Sequence, residues 1–135
     1  MIIKYDEQKI ERAIQDSIDA GLRNAAFVAS ELIASSMPGR GAAVIGKTRT
    51  NRNIYRPAEK GQPPGVRTAR LKNSITFARL APMKWAAGTN VRYGFRHEDG
   101  HHPFMQPTVL KNKTLIGQEF AKGASLKFGK AVLRV

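Results

Sequence analysis

Residues 7–36, EQKIERAIQDSIDAGLRNAAFVASELIASS, decide the fold. Ile10, Ile14, Ile18, Leu22, Ala25, Ala29 and Leu32 recur every three or four positions, and Phe27, Val28 and Ile33 widen the stripe. Side chains three and four apart share one side of a helix, so the spacing predicts a long amphipathic helix over 7–36. Gly21 is a tolerated weak point in it, since glycine costs about 1 kcal/mol relative to alanine in a helix interior. Ser35-Ser36-Met37-Pro38-Gly39 ends the helix, because the residue before a proline avoids the helical region.

A helix with one apolar face needs a second layer, and the rest of the chain offers one. Ile75 and Phe77 alternate with Thr76 and Ala78, Ala81-Pro82-Met83 turns the chain, and 84–91 returns with Trp85, Ala87 and Thr89 on one face. This is the pattern of an antiparallel hairpin. Thr68 can cap a short helix over 69–73. Residues 92–102 read as a polar loop, and Leu110, Leu115, Ile116 and Phe120 predict a helix over about 105–122, with Pro107 in its first turn. Gly117, Gly123 and Gly129 weaken that helix, and 124–135 reads equally as more helix or as an extended arm. Residues 1–5 read as a short strand. The expected fold is α+β in a single domain over 1–135, a small antiparallel sheet packed by a long N-terminal helix and a C-terminal helix.

Between these elements, residues 37–70 hold four prolines, five glycines, eight basic residues and one acid, Glu59. The eight are Arg40, Lys47, Arg49, Arg52, Arg56, Lys60, Arg67 and Arg70. The segment reads as a long basic loop insertion, a mobile arm with a hairpin near 43–55, whose cations are candidates for an interface or for DNA phosphate contact. Charge is unequal along the chain. Residues 1–36 hold four basic and six acidic residues, a net of −2, whereas the remainder holds 19 basic and four acidic, a net of +15. Unlike ends on one molecule suit head-to-tail contacts between copies as well as they suit DNA.

Composition closes several routes. The absence of cysteine excludes disulfides, thiolate nucleophiles and cysteine zinc sites. No apolar run is long enough to span a bilayer, and acids follow closely on the first residues, so synthesis in the cytoplasm and no membrane contact are expected. Gly41 to Thr48 matches the P-loop pattern letter for letter, yet no buried strand precedes it and Arg-Thr-Asn-Arg-Asn follows where a helix is needed. His97-Glu98-Asp99-Gly100-His101 matches the zinc-protease pattern, but Gly100 and Pro103 interrupt the helix that would bring both histidines to one side. No catalytic, cofactor-binding or metal-ligating residue is therefore expected, and no cofactor.

Three short motifs in order carry a resemblance. Pro64-Gly65-Val66-Arg67-Thr68-Ala69-Arg70-Leu71-Lys72-Asn73-Ser74-Ile75 is followed by Gly88-Thr89 with Tyr93 four residues on, and then by Pro103-Phe104 before the last helix. With the preceding amphipathic helix, this resembles the tail-component and tail-completion proteins of tailed bacteriophages, the minor tail protein Z-like family of head-to-tail joining proteins. Ala69 stands where that family usually has glycine, and 40–62 looks like an insertion. The resemblance implies a structural virion protein of the neck, not an enzyme, assembled in the bacterial host cytoplasm. It implies a homo-oligomeric ring, a hexamer, beside other neck and tail-tube proteins, through which DNA passes. A tail terminator ring of the same neck, or a free-standing sequence-neutral DNA-binding protein, are the alternatives. Thr68, Leu71, Ser74, Ile75, Gly88, Thr89, Tyr93, Pro103 and Phe104 are expected to hold the fold together.

Overall fold

The computed structural model of the chain describes residues 6–37, 44–55, 70–99 and 102–132. Arg40, Arg56, Lys60, Arg67, Thr68, His101 and the strand expected at 1–5 lie outside the described residues. The fold is α+β. Helix α1 runs Glu7–Ser36, as its periodicity predicts. Asp6 caps it, its side chain accepting the Lys9 N–H at 3.2 Å, and Met37 leaves it in extended geometry (ψ 139°) immediately before Pro38.

Strands β1 (Val44–Lys47) and β2 (Asn53–Tyr55) form one hairpin. After the short helix α2 (Arg70–Ser74), strands β3 (Thr76–Ala81) and β4 (Lys84–Gly88) form a second, separate hairpin. Its register pairs Phe77 with Ala87 and Arg79 with Trp85, and a bulge between Arg79 and Ala81 leaves Leu80 exposed. The second hairpin lies on α1. Phe27 meets the Phe77 ring edge-on at 5.5 Å, Phe77 stacks with Trp85 at 6.1 Å, and the Arg23 guanidinium sits 5.7 Å from the Phe77 ring centre.

Asp19 pins the tip of this hairpin to α1. Its Oδ1 accepts the Met83 N–H and the Trp85 indole N–H, each at 3.0 Å, and lies 3.5 Å from Arg79 Nε. The indole hydrogen bond is the largest influence on the carboxyl; burial works against it, and the Met83 N–H and Arg79 join in holding the pKa below its ordinary value.

Two expectations are corrected beyond the hairpin. Residues 92–99 are not loop but helix α3 (Arg92–Asp99), and the last helix does not stop near 122. Helix α4 (Met105–Lys111) breaks at Asn112, and helix α5 (Lys113–Val132) carries on to the end of the described chain. Helix α3 forms despite its polar composition because Gly94 brings it close to α2 and the end of β4: a Cβ at Gly94 would lie 2.9 Å from Thr89 Cγ2 and 3.2 Å from Leu71 Cδ1. Tyr93, expected to pack there, is 38% exposed, and the buried neighbour is Gly94 itself.

Helix α5 lies antiparallel on α1, with Asn24 beside Glu119 and Ala20 beside Gly123. Asn24 Nδ2 donates to the Glu119 carbonyl at 2.7 Å and to its Oε2 at 3.1 Å. A Cβ on Gly21 would fall 2.7 Å from the Phe120 carbonyl oxygen, and one on Gly123 would fall 3.2 Å from the Ala20 carbonyl oxygen. Of the four glycines that read as weak points, Gly21 and Gly123 are thus places where the two helices approach closely, and Gly117 and Gly129 face open space. The cost to helix propensity is offset by backbone contact across the pair.

The core is small and sits at one end. Ile33, Met37, Leu71, Val91 and Phe104 are buried together, with Ile75, Ala87 and Met105 packed against them. Ser74 Oγ donates to the Leu71 carbonyl at 2.6 Å and shares a hydrogen bond with Thr89 Oγ1, which also accepts the Val91 N–H at 3.1 Å. Most of the motif residues that are described therefore converge on this core. Pro103 is half-buried beside Phe104, whereas Gly88 pairs with Thr76 and has open space where a Cβ would be.

Candidate functional site

The apolar stripe of α1 has two fates. At its C-terminal half Ala26, Ala29 and Ile33 are buried, but at its N-terminal half Ile10, Ile14 and Ile18 are 36%, 45% and 36% exposed. Length explains this. A helix of 30 residues is about 45 Å long, whereas a six-residue strand reaches about 20 Å, so a hairpin that starts at the core runs out near Asp19. Beyond it α5 still packs along α1, but Ile10, Ile14 and Ile18 keep part of their surface open.

The stripe continues into an open groove. Leu22, Ala25 and Ala29 form its floor, with Trp85 and Ala87 of β4, Val109 and Leu110 of α4 and Ile116 of α5 around it, enclosing about 500 Å³. Leu110 (60%), Leu115 (40%), Leu126 (61%) and Phe128 (39%) add exposed apolar surface on the last two helices. The sequence shows one apolar face on the helix but not the groove. The one available signal was that the stripe is longer than two short strands can cover.

At the edge of the groove, Glu98 does structural work. Its carboxylate accepts the N–H groups of Phe104 (3.0 Å), Met105 (2.9 Å) and Gln106 (2.7 Å), capping α4, whose own N-cap residue, Phe104, has no acceptor side chain. Burial alone would raise its pKa, but those three donors outweigh it and hold the carboxyl below its ordinary range. In the zinc-protease pattern this is the position of the general base, and here both oxygens are committed to backbone.

The second feature is the β1–β2 hairpin. Thr48 and Arg52 close it: the Thr48 N–H donates to the Arg52 carbonyl at 2.8 Å, the Arg52 N–H to Thr48 Oγ1 at 3.1 Å, and Asn51 takes the left-handed conformation (φ 60°) that the turn requires. Gly46-Lys47-Thr48 of the P-loop match thus lies in strand and turn, not at the start of a helix. Lys47, Arg49 and Arg52 are exposed around this turn, and residues 44–55 contain no acid. Arg70 is exposed at the start of α2 and is not part of that hairpin. No described helix is long and apolar enough to cross a membrane.

Compared with protein-family models, with curated proteins and with solved structures, the chain matches none.

Proposed function

We propose that the chain is a structural subunit of the head-to-tail junction of a tailed bacteriophage, and not an enzyme. It assembles in the host cytoplasm as a homo-oligomeric ring, a hexamer, that completes the tail or joins it to the head and lets DNA pass. The observation that carries the reading is the partly exposed row Ile10, Ile14 and Ile18 of α1, together with the apolar groove on the same helix. Exposed apolar side chains on α1, α4 and α5 together with an apolar groove are the kind of surface that subunits of an assembly bury. The motif residues Leu71, Ser74, Ile75, Thr89 and Phe104 support the same reading, since they build a core and leave function to the surfaces around it.

Mass photometry and electron microscopy of the purified chain, and of particles containing it, test the proposal. Rings are expected; a strict monomer in both settings would refute it. The exposed Lys47, Arg49 and Arg52 favour a second reading, sequence-neutral binding to DNA phosphates. It requires that the chain alone bind duplex DNA with a salt slope that falls by up to about three units when all three are replaced by serine.

A further inference from the structure

The ring reading leaves open which surface of one copy meets which surface of the next, and two exposed features differ in charge. One is the N-terminal half of α1. From Asp6 to Asp19 it carries five acids against Lys9 and Arg12, a net of −3, and exposed Glu7 and Glu11 share a side of the helix with Ile10, Ile14 and Ile18. The other is the β1–β2 hairpin, which forms its own two-stranded sheet and joins its three exposed cations to a sequence that also contains Val44, Ile45, Ile54 and Tyr55. One surface is apolar with an acidic border, and the other is a basic turn.

We propose that the β1–β2 hairpin of one copy docks on the N-terminal half of α1 of the next, so that Lys47, Arg49 and Arg52 face Glu7 and Glu11 along the uncovered isoleucines. The contact is heterologous, joining two different surfaces, and a heterologous contact repeated by rotation closes a ring where a two-fold contact would stop at a dimer. Opposite charge sets the partner and register, and burial of the isoleucines supplies the driving force. The proposal rests on the ring reading and names the surfaces that build it.

Charge reversal in the full-length chain tests it. Arg49→Glu with Arg52→Glu should weaken assembly about tenfold or more by sedimentation velocity, and Glu7→Lys with Glu11→Lys should do the same. All four changes in one chain should restore it. The replaced side chains are exposed, so each variant should fold, with Glu7→Lys in the first turn of α1 lowering the melting temperature slightly, and the rescue distinguishes a contact from a folding defect. If the parent assembles but neither reversal weakens it, or the combined variant is not rescued, the docking is wrong while the ring stands. If the parent is a monomer both alone and in particles, the ring reading fails and takes the docking with it. If the hairpin reversal abolishes binding to a short duplex DNA and leaves assembly intact, the hairpin serves nucleic acid and the docking is overturned.

Discussion

The two halves of α1 have the same pattern and opposite surroundings. Ile33, four turns beyond Ile18 along the stripe, is 2% exposed in the core with Met37, Leu71, Val91 and Phe104, whereas Ile14 is 45% exposed. The same residue type at the same helical spacing is core in one half and surface in the other. Apolar periodicity says which side of a helix avoids water and leaves open what covers it. In the C-terminal half the cover comes from the chain itself, through α2, the β3–β4 hairpin and the turn before α4. In the N-terminal half the hairpin ends at Asp19 and α5 packs on the side that carries Gly21, which leaves Ile10, Ile14 and Ile18 partly exposed, and we propose that a neighbouring copy covers them.

This contrast can be broken by mutation. The largest effect belongs to the closed half: Phe104→Ala should destabilise the subunit by about 3–5 kcal/mol in a denaturant titration, because Phe104 is completely buried. Between the halves, Gly21→Ala should cost about 1–3 kcal/mol despite the better helix propensity of alanine, since its methyl group would press on the Phe120 backbone and ring. Gly117→Ala is the control in the same helix pair. Open space surrounds Gly117, and the change should stabilise by about 0.5–1 kcal/mol. If both glycines respond alike, the α1–α5 crossing is not where the helices touch.

Next comes pH. Asp19 and Glu98 both have pKa values lower in the folded chain than in the unfolded one, so their contribution is complete above about pH 5 and is lost as pH falls through the folded values. Replacing Glu98 by Gln should cost about 0.5–2 kcal/mol at neutral pH, as the loss of a helix cap does, and should flatten the fall of the melting temperature in acid. A variant that melts in acid along the parent curve would remove Glu98 from that account. The smallest effect belongs to the open half: Ile14→Ser should cost subunit stability about 1 kcal/mol or less while weakening assembly in sedimentation velocity. A large loss of stability would mean that Ile14 is already covered within the subunit.

Local signals made α1 and the β3–β4 hairpin legible. Asp6 and Pro38 bracket the helix, and the alternation around Pro82-Met83 marks the turn with its strands. The hairpin within 43–55 was legible for the same reason, as polar turn residues between apolar ones. What local signals could not supply was tertiary. Residues 92–99 look like loop because they are polar and hold Gly94, and that glycine is what lets α3 approach Thr89 and Leu71. Residues 124–132 read equally as helix or arm, and the structure makes them the C-terminal part of a helix that packs along α1. Glu98 looked like a motif residue, and its cap on α4 depends on a turn whose shape no spacing rule gives. For the candidate site, the basic residues were visible one by one, but the open half of α1 was not, because a stripe carries no mark of where its cover ends.

Gly21 and Gly123 also constrain the history of the chain. Any coding change at a glycine adds a side chain, and here a Cβ at Gly21 would meet backbone across the pair, which cannot swing aside as the tip of a side chain can. A change at Gly21 calls for a retreat of the Phe120 backbone, and one at Gly123 for a shift of a few tenths of an ångström. Distant relatives that share no other recognisable stretch should still carry two very small residues, one about halfway from the first isoleucine of the stripe to its last, the other one turn beyond an aromatic in the final helix. An ancestry that overall resemblance has lost would then survive as a pair of absences, two places where nothing was ever allowed to grow.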